Sequence, residues 1–387
     1  MAQPSPPNAL FISEILLAIS YQLEDDKKAL ARLARCCRAF SAPALTVLWS
    51  SVQSFSPFIP LLPPSVKFLW DHCQFDEVTL DEFPCPPEEE WRVFDSYARR
   101  VRRLYSGWHF HQIVARIRSE ITLFPLLRSL TLQLVEPLDI QVRLFSDSLR
   151  SLKISGPAYV HCNDDRVQMA IAHVSRDAPL VEYLHVEDFT YSVAQSSLPP
   201  LHFAHLRAVR ISAFFDYSLL QSFCHILSQA PVTQLKLELP ALPNKEWSIS
   251  SPVFPALESL QIYGNPLSAE QFVSHLASKS VQELSIHHTK GPASAADYCQ
   301  LLSCVADKYS NTLQTLSLTL SQSPTTNHLH DLSQAVLDAF YALAPSFKRL
   351  GTLHLSLPHN RYVHLAPELT FESPTWPFLK LLDFQAT

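Results

Sequence analysis

A short pattern of apolar and polar positions recurs down most of this chain. Its form is apolar-x-x-apolar-x-apolar. It reads VRRLYS at 101–106, LRSLTL at 127–132, LRSLKI at 149–154, VEYLHV at 181–186, LRAVRI at 206–211 and VTQLKL at 232–237. It continues as LESLQI at 257–262, VQELSI at 281–286, LQTLSL at 313–318, LGTLHL at 350–355 and LKLLDF at 379–384. The middle apolar residues fall 22 to 37 positions apart. Each copy ends in strict alternation, the period of a strand with one buried face.

The stretches between copies carry helical spacing. Helices are predicted over 164–179, 216–231, 268–280, 294–311 and 331–345. Ser268 with Gln271 and Asp331 with Gln334 have the spacing of capping boxes, and Pro179, Pro231 and Pro345 end three of the helices. A strand–helix unit of this length cannot bury its apolar face alone. Stacking many such units does, which predicts a solenoid. The pattern resembles the leucine-rich repeat. The resemblance implies a curved solenoid over 101–387, with parallel strands on the concave face and helices on the convex face. It departs from the familiar form at the turns. The Asn expected after the strand stands clearly only at Asn265, so the turns must be satisfied in another way.

Residues 8–52 carry no repeat and read as three short helices: SEILLAISYQL, KKALARLARCCRAFSA and PALTVLWSSV. The second places Leu30, Leu33, Cys37 and Phe40 on one stripe, and Pro43 is expected at the first position of the third. So small a bundle cannot hide all its apolar side chains, which points to a partner surface. The whole chain is thus of the α + α/β class. It has a helical bundle over 8–52, a linker with a helix over 53–100 and a repeat domain over 101–387. Four prolines stiffen the stretch 54–68.

The first module resembles an F-box, in the form common in fungal (mushroom-type) F-box-like proteins. The residues that carry the resemblance are Leu10, Glu14-Ile15-Leu16, Leu23, Leu33-Ala34, Cys37-Arg38-Ala39-Phe40, Pro43-Ala44-Leu45 and Leu48-Trp49. Residues 88–104 resemble the linker helix before the first repeat in such proteins. One departure is Ser13, where many F-boxes carry Pro; Ser caps a helix as well. The resemblance implies a substrate receptor of a cullin-type (SCF-type) ubiquitin ligase. Leu10, Ile15, Leu16, Leu33, Cys37, Phe40, Leu48 and Trp49 would meet a Skp-family adaptor joined to the cullin complex. The repeats would hold a target protein. Transfer of ubiquitin belongs to other subunits, so no catalytic residue is expected. The alternative is a repeat scaffold that does not engage the ubiquitin machinery.

On the repeat strands, the residues flanking the inner apolar positions form the candidate recognition face. Tyr183, His185, Arg210, Lys236, Glu238, Tyr263 and His287 are the chosen candidates. Aromatic and charged groups suit a protein–protein surface.

Composition narrows the remaining classes. The chain has 36 acidic and 30 basic residues, which gives no basic excess for a nucleic-acid partner. It has 5 Gly and no Gly-rich phosphate loop, against nucleotide chemistry of that kind. Its 8 cysteines include no Cys-x-x-Cys, and its close histidine pairs (His109/His111, His287/His288, His328/His330) have no further ligand at metal spacing. No metal or other cofactor is expected. The acidic run Glu88–Glu90 fits a helix N-terminus better than acid catalysis. With no signal-peptide pattern and no long apolar stretch, the expected place is the cytoplasm or nucleus, away from membranes. The adjacent thiols Cys36 and Cys37, set among Arg32, Arg35 and Arg38, leave one open question: apolar surface or reactive sulfur.

Overall fold

The computed structural model describes residues 12–72, 86–106, 118, 121–133, 144–156, 165–187, 201–212, 217–240, 253–289, 293–320, 329–357 and 381–386. The chain forms two compact units, 1–154 with 176–180 and 155–175 with 181–387.

The first unit opens with helices α1 (Ser13–Tyr21), α2 (Lys27–Cys36) and α3 (Arg38–Ser50). Asp26 starts α2 by accepting a hydrogen bond from the Ala29 N–H at 2.9 Å. The helix then stops at Cys36. Cys37 is extended (φ −159°, ψ 166°) and begins α3, so Pro43 lies inside a helix rather than at its start. The expected stripe Leu30–Leu33–Cys37–Phe40 is therefore broken, and Cys37 is exposed. The reason is packing. A continuous helix would hold Leu30 and Val47 about 25 Å apart at 1.5 Å per residue. The break folds α3 back against α2 and α1, and Leu30, Ala44 and Val47 close one core with Leu17, Leu23, Leu33, Ala34 and Leu48 around it. Pro43 cannot donate to the Ala39 carbonyl, a local loss that this core outweighs.

The end of α3 leads straight into strand β1 (Ser51–Val52), where sequence spacing places more helix. β1 pairs in parallel with β2 (Arg103–Ser106), and β2 with β3 (Ser129–Gln133); β4 (Ser151–Ser155) follows. Between β1 and β2 lie a 3-10 turn (Ser56–Leu61), α4 (Pro64–His72) and α5 (Glu88–Ala98). This stretch, read from sequence as a linker, holds an aromatic core. The Phe58 ring is fully buried and sits 5.1 Å from Trp49, 5.1 Å from Phe55, 5.4 Å from Phe94 and 5.4 Å from Phe124. Glu88, Glu89 and Glu90 occupy the first turn of α5, and its buried side is Trp91, Phe94 and Ala98.

The second unit contains β5 (Tyr183–Glu187), β6 (Ala208–Ser212), β7 (Gln234–Glu238), β8 (Ser259–Tyr263), β9 (Glu283–His288), β10 (Thr315–Leu320), β11 (Thr352–Leu357) and β12 (Leu381–Ala386). Each pairs in parallel with the next in chain order. The helices are α6 (Asp165–Asp177), α7 (Tyr217–Ile226), α8 (Pro266–His275), α9 (Ala295–Tyr309) and α10 (Leu329–Leu343). α8 packs on α9 and α9 on α10, so neighbouring repeats stack in both layers. All eleven hexamers of the sequence pattern coincide with strands β2–β12. The result is an α/β fold with a parallel sheet, compatible with a repeat solenoid.

Two details of the helix starts differ from the sequence reading. α8 begins two residues before Ser268. Asn265 caps it, its Oδ1 accepting from the Ser268 N–H at 2.7 Å, while the buried Ser268 hydroxyl donates to Pro240 O. Asp331 lies within α10 rather than at its cap. The capping box that does form is Ser294 with Asp297, at the start of α9.

The repeats are stitched through the backbone. The second residue of a hexamer offers its carbonyl to two N–H groups of the next copy. Thr233 O takes Glu258 and Ser259, Glu258 O takes Gln282 and Glu283, and Gln282 O takes Gln314 and Thr315. Arg102 O and Arg128 O do the same in the first unit. Serine pairs add to this. Ser146 and Ser148 both donate to Leu127 O, and Ser278 and Ser280 both donate to Leu257 O. These bonds serve turns that lack an Asn ladder.

Replacing Phe58 with Ala removes the ring at the centre of the aromatic core and leaves a cavity. The expected cost is about 3–5 kcal/mol. Urea unfolding followed by tryptophan fluorescence, sensitive through the nearby Trp49, is expected to show the midpoint falling accordingly.

Candidate functional site

Two surfaces hold the residues singled out by sequence. The first is α1 and its neighbours. Ile15 is 38% exposed, and Ile12 and Ile19 are 39% and 37% exposed. Ile15 and Ile19, at i and i+4, share one face of α1, and Ile12 precedes them as the extended residue that caps the helix, so the three isoleucines follow one another along the helix. The other expected residues divide. Leu16 is buried at 2% exposure. Leu33 and Leu48 are half-buried against Leu30, Ala44 and Val47. Trp49 is half-buried, with its ring 5.1 Å from Phe58 and 4.7 Å from Tyr97. Phe40 is half-buried, Cys37 is exposed, and Leu10 lies outside the described residues. The sequence reading did not choose Ile12 or Ile19. The 3.6-residue period would not have found them, because Ile12 and Ile19, four before and three after Leu16, sit beside that buried residue on the wheel.

The three-helix segment is also tied to the first repeat strand. Arg103 on β2 pairs with Glu24 in the α1–α2 loop. Lys27 donates to Leu48 O at 3.5 Å, and partial burial lowers its pKa.

Cys36 and Cys37 are both exposed. The Cys36 thiol donates to Arg32 O at 3.3 Å, a bond within its own helix. Cys224 differs sharply: it is fully buried, and burial pushes its thiol up to about 12. At pH 8, iodoacetamide is expected to label Cys36 and Cys37 in the native protein and Cys224 only after unfolding, as read by peptide mass spectrometry.

The second surface is the outer face of the second unit's sheet. Leu184, Val209, Leu235, Leu260 and Leu284 align across the strands and point inward, as do Val186, Ile211, Leu237, Ile262 and Ile286. Outward positions therefore align too. One row runs His185, Arg210, Lys236, Gln261, Ser285, Ser317, His354, Asp383. A second includes Glu238, Tyr263 and His287. Tyr183 opens the strand before His185 and sits edge-on to its ring at 6.4 Å.

His185 is only 6% exposed, so it supports this face from beneath. Its Nε2 lies 2.9 Å from the Ser212 hydroxyl and 3.3 Å from the Glu187 carboxylate. Lys236, Gln261, Tyr263, Ser285 and His287 form the best-connected cluster. Lys236 Nζ donates to Tyr263 OH at 3.0 Å and lies 4.7 Å from the ring centroid, a cation–π contact. Gln261 Nε2 donates to Tyr263 OH at 2.8 Å and reaches His287 Nε2 at 3.0 Å. The Tyr263 and His287 rings stack at 4.5 Å with planes 11° apart. Ser285 Oγ approaches the same His287 nitrogen at 3.2 Å. With Gln261 donating, His287 is neutral and holds its proton on Nδ1. Burial, and then the Lys236 charge, lower its pKa below 6.5.

His287 and His288 do not act together. His288 is turned inward and meets Tyr298 OH at 2.9 Å through its Nδ1. His109, His111 and His328 lie outside the described residues. Among the described residues no three or more His, Cys, Asp or Glu side chains gather as a metal would require, and no helix is long and apolar enough to cross a membrane. What this face can do is bind: it offers donors, stacked rings and fixed charges on a rigid sheet.

No protein-family model matches the chain, and a comparison with curated proteins finds no significant relative.

The neutral form of His287 is favoured by the fold. Its contribution to stability is present above pH 6.5 and is lost as the pH falls through the lowered pKa. In an NMR titration, the His287 ring is expected to titrate below an ordinary histidine. Lys236→Met is expected to move it part of the way back up.

Proposed function

We propose that the chain is the substrate-recognition subunit of a cullin-type ubiquitin ligase. Residues 8–52 would hold a Skp-family adaptor, and the repeat face would hold a target protein. The observation that carries this reading is the row of exposed isoleucines along α1. The three helices close their own core with Leu16, Leu30, Ala44 and Val47, yet Ile12, Ile15 and Ile19 stay in solvent. Exposed apolar side chains set along a helix fit a helix-docking partner. They lie within the segment that resembles an F-box. The outer sheet face, with Arg210, Lys236, Tyr263 and His287, supplies the second surface such a receptor needs. The chain then works by proximity, with the transfer chemistry in other subunits. This role places it in the cytoplasm or nucleus.

A second reading, a repeat scaffold outside the ubiquitin machinery, draws on one observation. Leu16, Leu33, Leu48 and Trp49 are spent on the protein's own packing, which leaves α1 to carry the docking surface.

The test is capture of a purified Skp-family adaptor by the full chain. Wild type is expected to bind. Ile15→Asp combined with Ile19→Asp is expected to lower affinity at least about thirtyfold while leaving circular dichroism unchanged, because both side chains are exposed. Failure of the wild type to capture the adaptor would sink the ligase reading and leave the scaffold.

A further inference from the structure

Arg210 on β6, Lys236 on β7 and Gln261 on β8 hold the same register position on adjacent strands. Such neighbours are about 4.8 Å apart. Two cations side by side on a sheet repel each other, and a carboxylate between them is the common remedy. Their register row carries none among the described residues: it reads His185, Arg210, Lys236, Gln261 and Ser285. The Arg210 side chain makes no hydrogen bond or ion pair among the described residues, and its Nε is buried without a partner. Lys236 reaches a ring and a hydroxyl rather than an acid.

The hydrogen-bond count points the same way. Tyr263 OH accepts from both Lys236 and Gln261, so its own hydrogen is left to donate outward. Gln261 has spent both amide hydrogens, on Tyr263 and His287. Lys236 keeps two donors and Arg210 keeps all of its own. These four side chains therefore have donors in excess of acceptors, on a rigid support.

We infer that the patch takes a carboxylate from an acidic segment of the target protein. The planar fork of Arg210 suits a carboxylate in bidentate fashion, and the Lys236 ammonium and Tyr263 hydroxyl reach its flank. The neighbouring rows exclude a long polyanion. Glu187 and Glu238, on the same face of β5 and β7, flank the two cations and would repel a run of phosphates. Glu187 faces His185 at 3.3 Å. A single acidic side chain fits between these glutamates. The stacked Tyr263 and His287 rings give the residues beside it an apolar seat.

This inference rests on the target-binding half of the proposed function and is independent of adaptor capture. Its test uses the full chain and two fluorescent libraries of unstructured twelve-residue peptides. One library carries a central Asp-Glu pair and the other carries Asn-Gln at the same places. A single-stranded oligonucleotide serves as the polyanion probe. The acidic library is expected to bind at least about tenfold more tightly than the amide library, with affinity falling as salt rises. Arg210→Met and Lys236→Met are each expected to lose about tenfold on the acidic library, and Arg210→Lys to lose less. The amide-swapped library leaves the protein unaltered, so a misfolded variant cannot decide the result. No binding of the acidic library, equal binding of both libraries, variants that bind as wild type does, or tighter binding of the oligonucleotide would each overturn the inference. Peptide binding without adaptor capture would uphold this face and reject the ligase reading; adaptor capture without peptide selectivity would do the reverse.

Discussion

Every other feature of this protein depends on the burial of two apolar residues per strand by the strands on either side. In β8 these are Leu260 and Ile262, at 1% and 0% exposure, lying beside Leu235 and Leu237 on one side and Leu284 and Ile286 on the other. A single strand of five residues has no means to shield them. Stacking therefore sets the register, and a slip by one residue would bring Gln261 and Lys236 into the core. The outward rows are as fixed as the inward ones because they belong to the same strands. The cluster around Tyr263 inherits its rigidity from the leucines beneath it.

The backbone stitches show how the repeats tolerate their uneven spacing. A carbonyl that accepts two N–H groups from the next copy asks nothing of the side chain at that place. Arg102, Arg128, Glu182, Arg207, Thr233, Glu258, Gln282 and Gln314 all occupy it. The junction is thus independent of sequence, and the helix-side segments can vary in length between one strand and the next. The serine pairs at 146/148 and 278/280 add a second bond only where the chain offers Ser-x-Ser just before a hexamer.

This division explains what the sequence made legible. The hexamer places strands β2–β12 because alternation and stacking dictate the same residues. The outward candidates follow from the same alternation. Four things were hidden. The break at Cys37 comes from the need of Leu30 to reach Val47, a tertiary demand with no local signal: no glycine or proline stands there. The strand β1 is two residues long and takes its identity from β2, which is 52 positions away. The choice of exposed residues on α1 depends on which side packs on α3, so Leu16 and Ile15, adjacent in sequence, have opposite fates. His185 was hidden in the same way, since alternation gives its direction but not the cover that Ser212 and Glu187 provide.

The two halves of the proposed function would make different physical demands, and the two surfaces are built of different materials. The α1 isoleucine row is apolar and carries no directional bonds, so it suits an adaptor that must bind firmly and always in the same way. The outer sheet face is polar, with donors held in place by one another, so it suits discrimination among segments by charge and hydrogen-bond count. The Arg210 guanidinium has no acceptor among the described residues, and under the inferred binding a docked carboxylate would supply one to its outer nitrogens while a neutral ligand would not. The unmatched donor thus works as selectivity. It raises the contrast between an acidic segment and its neutral counterpart without any closed pocket to shape the ligand.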